Sequence, residues 1–548
     1  MSLILLSVAG TNCDAQTITV DIADGDVIDV NPDTATVADL PGPDGHVSFS
    51  EAMIASNNTP GRQIIGFAIP QSQWTYLPWY YPGRAVITGM MFYANAYDEV
   101  IIDGRTQTAF TGNTNPNGNE VVILRGGGLY IAADACRIFG LDRTNLRIEG
   151  SNCLVQNNSE MGIDIYGGSG TLVKNNKGGG YVQIDQSDSN VVVGNTVNRV
   201  RVLGWMAGGR PAVNNRIGGP LLSERNFITG QGFINSQGIP GGFAVQLFES
   251  VGTIVENNWI GTTPDGLSGG HPATTIGIWL DSENHVVDLR NNRIAGILAV
   301  ARPRSAPAYL VGTAIQVDGT GNDVAIEGNK IGLNANGQPV LGSVTGINLL
   351  NYYLGPVTKV TIGGAAISKR NEIAGHLGNA IRVGNSYSDL LISRNSIHSN
   401  GKGGIDLIEA GFQEGITLND LRDVDSGANG LQNFPVIQSA LLTRGQAGSL
   451  DTLRVTGAIN TSPTTSVIVE FFVSPEPHGS GFGEGKHFVG AIRVTTNANG
   501  DAAFDPTFSM PLVAGSGWVI TATATNRIRA ATSEFSAAVP ITLGGLAP

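Results

Sequence analysis

One phrase recurs from about Gly150 to Asn400: a short apolar strand, a turn, then Asn-x-Ile or a close variant. It reads Asn157-Asn158, Asn175-Asn176, Asn195-Thr196-Val197, Asn226-Phe227-Ile228 and Asn258-Trp259-Ile260, then Asn292-Arg293-Ile294, Asn329-Lys330-Ile331, Asn371-Glu372-Ile373 and Asn395-Ser396-Ile397. The interval is 18 residues from Asn158 to Asn176 and 19 to Asn195, then 31, 32, 34, 37 and 42, and finally 24. A period near 20 without helical spacing marks a solenoid, and longer intervals need a second coil or one coil carrying a loop. Asparagine suits the corner of such a coil. Its amide satisfies backbone groups at a tight turn, it tolerates a left-handed conformation, and stacked copies can hydrogen-bond as a ladder.

A solenoid grows lengthwise, so 548 residues do not force a division into globular cores. The 75 glycines, 14% charged residues and 41% hydrophobic residues fit a turn-rich β protein with a continuous core. A net charge of −13 argues against nucleic-acid binding, which needs a basic surface, and admits neutral partners or calcium. Cys136-Arg137-Ile138 and Cys153-Leu154-Val155 match at a spacing of 17, which stacks the two cysteines one coil apart, either as buried thiols or as a disulfide. Residues 1–16 carry a short apolar run without a basic start and read as a remnant of an export signal; no stretch qualifies as a membrane span.

Thr17 to Val30 alternates as an exposed strand would. Ser48-Phe49-Ser50-Glu51 is a capping box opening a helix that Asn57-Asn58-Thr59-Pro60 stops, placed to cover the first coil. Ile64 to Pro70 follows as a buried strand. Trp74, Tyr76, Trp79, Tyr80 and Tyr81, with Phe92, Tyr93 and Tyr97, crowd the next stretch. They read as core aromatics under a long loop, in preference to a platform for sugar rings. After Ser439 the texture changes to strands of 5 to 8 residues split by Gly, Asn and Pro, such as Ser466 to Val473 and Trp518 to Ala524; this reads as a β-sandwich.

These stretches resemble a known family. Val47-Ser48-Phe49-Ser50-Glu51-Ala52-Met53 with Ile64-Ile65-Gly66-Phe67 looks like the N-terminal module named for Cys-Ser-Leu-Arg-Glu-Ala-Ile, found in bacterial secreted and surface right-handed β-helix proteins. Val47 and Ser50 stand where that motif has Cys and Arg. Arg216-Ile217-Gly218-Gly219 leading to Asn226, Thr361-Ile362-Gly363-Gly364 leading to Asn371, and the closing Asn395-Ser396-Ile397-His398-Ser399-Asn400-Gly401 resemble the same family. Thr532-Ser533-Glu534-Phe535-Ser536 resembles the closing motif of the module that follows such helices. The expected fold is all-β: a right-handed single-stranded parallel β-helix with an N-terminal capping helix, followed by a C-terminal Ig-like β-sandwich. The expected boundaries are 17–98 for the cap and first coils, 99–438 for the β-helix and 439–548 for the sandwich. The resemblance implies an extracellular or cell-surface place and carries little about activity, because fold does not fix function.

The strand after each corner supplies an outward column: Asp164, Gln183, Arg201, Gln246, Trp279, Gln316, Asn348, Arg382 and Asp406. Two residues on, Asp185, Phe248, Asp281 and Asp318 form another, with Glu249 beside it. Such a column is either a solvated face or a saccharide groove, in which Trp279, Gln246, Gln316, Arg382 and Arg201 would hold a polysaccharide. On neighbouring coils Asp281 and Asp318 would stand ~4.8 Å apart, near the about 5–5.5 Å separation of retaining glycosidases, with Glu249 as a further carboxylate. Two functions follow: a polysaccharide-active hydrolase or lyase, or a non-catalytic glycan-binding surface protein. Asp420, Asp423, Asp425 and Asn429 form an acidic loop that is either a turn-forming linker or a calcium site, the latter helped by Glu409, Glu414 or a backbone carbonyl.

Overall fold

The structure is a computed structural model. It describes residues 15–89, 95–124, 128–205, 209–302, 308–319, 322–350, 358–385, 387–408, 414–446, 449–510, 515 and 517–546. Residues 1–14, which hold Cys13 and most of the stretch 1–16 expected to be an export-signal remnant, and the residues Phe92, Tyr93 and Glu409 lie outside these. The chain forms two compact units, Met1–Val182 and Gln183–Pro548. It is all-β, with long parallel sheets stacked as a parallel β-helix.

In the first unit, Thr17–Val20 starts the stack and pairs in parallel with Gln63–Phe67. Val100–Asp103, Arg137–Phe139, Leu154–Gln156 and Leu172–Lys174 follow in parallel register. The expected alternation is present but short: the strand ends at Val20, not Val30. Ser48 caps the helix Phe49–Asn58 as the sequence predicts. Its hydroxyl accepts from Glu51 N–H at 3.1 Å, and the Glu51 carboxylate accepts from Ser48 N–H at 2.9 Å. The first eight residues of the helix are buried, and Phe49 stacks on Phe67 with ring centres 6.1 Å apart. A second helix, Arg105–Thr111, escaped the sequence reading because it has neither a side-chain cap nor an apolar stripe.

In the second unit each coil contributes one strand to each of three parallel sheets. The first sheet runs Val191–Val193, Arg216–Gly218, Ile254–Glu256, His285–Arg290, Asn322–Glu327, Thr358–Gly363 and Leu391–Ser393. The second includes Arg199–Leu203, Pro240–Phe248, Ile276–Asp281, Thr313–Val317, Thr345–Leu349, Asn379–Val383 and Gly403–Leu407. The third holds the Asn-x-Ile phrases, from Thr196–Val197 to Ser396–His398. Like side chains therefore stack in columns: Ile228, Ile260, Ile294, Ile331, Ile373 and Ile397 are all buried and in register. Each such burial is worth about 1.5–3 kcal/mol.

Two roles assigned to one asparagine are split between neighbours. The left-handed turn is taken by the residue before the phrase: φ is 56° at both Asn257 and Asn291, and 65° at Gly328. The asparagine that follows is buried and forms the ladder. Asn258 donates from its backbone N–H and its amide to Asn292 Oδ1, at 2.9 and 3.1 Å. Asn292 does the same to Asn329 at 2.9 and 3.1 Å, and Asn329 to Asn371 at 2.8 and 3.0 Å. The second amide hydrogen reaches a strand carbonyl, as from Asn292 to Val255 at 2.7 Å. The links run from Asn195 through Asn226 to Asn395. They are indifferent to loop length, because insertions leave the coil between its corners.

From Val436 the chain builds two five-stranded, mainly antiparallel sheets around one apolar core that includes Leu453, Val455, Phe471, Phe504 and Ile520. The last coil meets this module through three buried glutamates. Glu470 accepts from Ser393 Oγ at 2.8 Å and Arg394 N–H at 3.0 Å, Glu484 accepts from Asn400 N–H at 3.0 Å, and Glu534 accepts from Leu407 N–H at 2.8 Å and Thr417 N–H at 3.0 Å. Cys136 and Cys153 are buried free thiols one rung apart, since Leu154 pairs with Arg137. Hydrogen bonding between the two pushes the Cys153 thiol up, and burial adds to this.

Candidate functional site

The second sheet of the second unit aligns the outward residues rung by rung: Arg201 on Gln246, Gln246 on Trp279, Trp279 on Gln316, Gln316 on Asn348, Asn348 on Arg382 and Arg382 on Asp406. This is no solvated face. Gln246, Gln316, Asn348 and Asp406 are buried. Their planar groups hydrogen-bond along the sheet, as buried amides must. Arg201 donates to Gln183 Oε1 at 3.1 Å and to Gln246 Oε1 at 3.0 Å, and Gln246 donates to Asp281 Oδ2 at 3.0 Å. Further along, Asn348 donates to Gln316 Oε1 at 2.8 Å. The Asp318 carboxylate accepts from Gln316 Nε2 at 2.6 Å and from Trp279 Nε1 at 2.8 Å. In the first unit Asp164 lies in register with Arg147.

Asp281 ends its strand and Asp318 directly follows the strand on the next coil, because Leu280 pairs with Val317; the spacing of 37 between them hides no extra rung. Both are only 6% exposed. Burial pushes the Asp318 carboxyl up to about 6, and the nearby charge of Asp281 adds to this against the two hydrogen bonds. Tyr387 folds over the same place, donating its hydroxyl to Val317 O at 2.5 Å.

A cleft of about 550 Å³ opens beside Asp281, lined by Asp185, Arg201, Leu203, Gly204, Trp205, Gln246, Phe248 and Asp281. Two apolar rungs, Leu203 and Phe248, separate its carboxylates, since Leu203 pairs with Phe248 and Phe248 with Asp281. Trp205 is 54% exposed at its edge. Sequence reasoning missed this tryptophan because it follows the strand instead of sitting in a column; the signal was a Trp directly after Gly204 and shortly before Gly208-Gly209 in the sequence.

Trp279, expected to be an open stacking face, is half-buried, with its indole bound to Asp318 and its ring 6.0 Å from Phe243. Glu249 takes the turn after Phe248 at φ 46°, outside the cleft lining, and burial together with Glu283 raises its carboxyl. Arg382 lies beyond Asn348 and pairs with Glu414 at 3.0 Å.

Asp420, Asp423 and Asp425 converge, each offering a carboxylate oxygen within 4.8 Å of the others. Asn429 does not join them. Its amide is spent inside, donating to Leu390 O at 3.0 Å and Thr532 O at 2.9 Å and accepting from Leu390 N–H at 3.0 Å. Glu414 is likewise committed, to Arg382 and to Lys402 at 2.6 Å. Asp423 is buried and already accepts from Asn433 N–H at 2.7 Å and Thr461 Oγ1 at 3.1 Å, and burial holds its carboxyl above the usual range.

A further cavity of about 380 Å³, with His398, Asn400, His478, Glu484 and Lys486 in its lining, marks the seam of the last coil and the C-terminal sheets. Its groups largely satisfy one another: Asn400 Nδ2 donates to Glu484 at 2.7 Å, and His478 Nε2 lies 3.0 Å from Asn400 O.

No protein-family model matches the chain, and no curated protein matches it. Among solved structures there are distant likenesses to viral proteins. One is the enzymatically active domain of tailspike protein 2 of bacteriophage CBA120, at 10% identity over 87% of this chain and 68% of that one, with a TM-score of 0.24. Another is the enzymatically active domain of tailspike protein 4 of the same phage, at 9% identity over 88% and 64%, with a TM-score of 0.20. ORF18 of Geobacillus virus E2 follows at 10% over 97% and 80%, with a TM-score of 0.19. Scores this low carry no argument about what the chain does. No helix among the described residues is long and apolar enough to cross a membrane.

Proposed function

We propose that the chain is an extracellular polysaccharide-active protein that binds glycan in the cleft beside Asp281. The observation that carries this is the lining itself: an exposed indole, a half-buried phenyl ring and a hydrogen-bonded row of Arg201, Gln246 and Asp281. Rings stack on sugar faces while planar amides and carboxylates take hydroxyls. Asp281 faces the substrate and Asp318 stands on the next rung, raised towards the range of a general acid, so glycoside hydrolysis is the chemistry the pair suits best. A lyase fits less well. Two carboxylates, Asp185 and Asp281, would repel a uronate, and Arg201 is held by two glutamines.

A non-catalytic glycan-binding role is the second reading, favoured by the sequestration of Asp318, both of whose oxygens accept protein hydrogen bonds. Trp205→Ala should weaken binding on a glycan array by about 1–3 kcal/mol without lowering the melting temperature. Asp281→Asn keeps an acceptor for Gln246 and should abolish release of reducing ends while leaving binding in place. Unchanged binding in Trp205→Ala removes the cleft reading. Binding without release of reducing ends by the parent leaves the second reading alone.

The other part of the proposal is calcium at Asp420, Asp423 and Asp425, where a hard cation would relieve the crowding of three carboxylates. Added calcium should then raise the unfolding temperature and slow proteolysis near Val424, and Asp425→Asn should remove both effects; identical traces with calcium and with chelator discard the site.

A further inference from the structure

We infer a second carbohydrate-binding surface, in the first unit, formed by Tyr76, Trp79, Tyr80 and Tyr81. The sequence suggested that these rings plug a core, and the structure corrects this. Trp79 is 78% exposed, Tyr80 58% and Tyr76 44%. A soluble protein rarely leaves such a group of large aromatics in water without a use for them.

The loop that carries them is not slack. Trp74 donates its indole N–H to Ile69 O at 3.2 Å. A turn closes where Tyr80 and Tyr81 N–H donate to Leu77 O at 2.8 and 2.9 Å. Arg143 donates to Tyr80 O at 3.1 Å, and its guanidinium lies 5.4 Å from the Tyr80 ring centre and 5.9 Å from that of Tyr81. Arg84 grips the far end through Pro82 O at 3.1 Å and is itself buried in an ion pair with Asp142. The rings pack on one another, Tyr80 edge-on to Tyr81 at 4.8 Å and Tyr81 at 6.2 Å from Tyr76. A loop pinned at three places presents its rings in a fixed array, so a ligand meets them without an ordering cost.

The chemistry of the array selects the occupant. Three of its four rings carry hydroxyls, and these make no hydrogen bond among the described residues, which leaves a donor and an acceptor at the edge of each tyrosine ring. Arg143 is neutralised by Glu160 at 2.7 Å, so the surface offers no net charge to an anionic polymer. Leu77, the aliphatic neighbour, is only half exposed, unlike the apolar centre of a protein interface. Aromatic faces with flanking hydroxyls and balanced charge fit the rings of a neutral polysaccharide. The ligand class rests on the glycan reading of the cleft, but the residues are separate, so the two can be tested apart.

Affinity electrophoresis of the full chain through gels containing cellulose derivative, xylan, starch, mannan or polygalacturonate tests it. At least one neutral polymer should retard the parent. Trp79→Ala/Tyr80→Ala should weaken that retardation about tenfold or more, with an unchanged melting curve, and Tyr80→Phe should retain part of it. The surface is overturned if no polymer retards the parent, if the double variant is retarded as the parent is, or if only polygalacturonate is effective. Trp205→Ala run alongside separates the readings. Loss with Trp205→Ala alone keeps the cleft and discards the loop, and loss with the loop variant alone does the reverse.

Discussion

Asn292→Ala should cost about 3–5 kcal/mol, more than most substitutions in the chain. It removes the acceptor of Asn258 N–H and Nδ2 and the donor to Val255 O and Asn329 Oδ1, all of them buried. Each buried group left without a partner costs about 1–3 kcal/mol. Asn292→Asp separates the donor's part from the acceptor's. Its oxygen still receives Asn258, but its second oxygen faces the Val255 carbonyl. At neutral pH the side chain must be buried charged or take up a proton, and the latter costs about 4 kcal/mol over three pH units. Protonated, it can replace one of the two hydrogen bonds that the amide donates. The Asp variant should therefore unfold at lower denaturant than the parent at pH 7 and recover much of the difference at pH 4, whereas the Ala variant should show no such recovery. A loss below about 1 kcal/mol for Asn292→Ala would mean that the ladder only records the coil geometry and does not hold it.

Asp318 should give the protein a stability that fades as the solution becomes less acidic. Its carboxyl is raised from 3.8 to about 6 in the folded state. Between those values the folded chain keeps a proton that the unfolded chain has released. The contribution is therefore complete below about pH 4 and gone above about pH 6, a change of about 3 kcal/mol. His376 acts in the opposite sense. Burial lowers it from 6.5 to about 4, so its contribution is complete above pH 6.5 and lost as pH falls through 4. The parent's own curve will mix the two, and the difference between Asp318→Asn and parent isolates the first. That difference should rise in favour of the variant by about 3 kcal/mol between pH 4 and pH 7, from a start depressed by about 1 kcal/mol for one lost hydrogen bond. A flat difference would show that the group titrates normally and is unsuited to act as an acid.

The parallel stack was legible because its register is written in single residues. Asn-x-Ile fixes the corner, and the corner fixes which side chains of the following strand share a column, so the alignment of Arg201, Gln246, Trp279, Gln316 and Asn348 could be written down in advance. Burial could not be. Whether a column faces water depends on loops whose paths have no period, which is why Gln246 and Gln316 lie covered and Trp279 serves Asp318 instead of a ligand. Trp79 and Tyr80 failed the other way: their composition suggests a core, and only tertiary anchoring by Arg143 and Arg84 turns them outward. Asn429 misled for a third reason. An acidic loop suggests ligands wherever oxygens alternate, but the Asn429 amide also fits the gap between Leu390 and Thr532.

Glu470, Glu484 and Glu534 have a consequence for how this molecule meets other copies of itself. A parallel sheet ends in a row of backbone donors that any extended chain can match, and three such rows end together at the last coil. Carboxylates from the C-terminal module occupy that terminus at Arg394, Asn400 and Leu407, and Thr532 Oγ1 takes Ile392 N–H at 3.0 Å. Most of these donors are matched by side-chain oxygens, and the one backbone match, Ile397 N–H to Gly485 O at 2.9 Å, is a single isolated bridge, so the pairing pattern is not passed on to a further strand. Polymerisation end to end through this terminus is blocked by chemistry as well as by bulk.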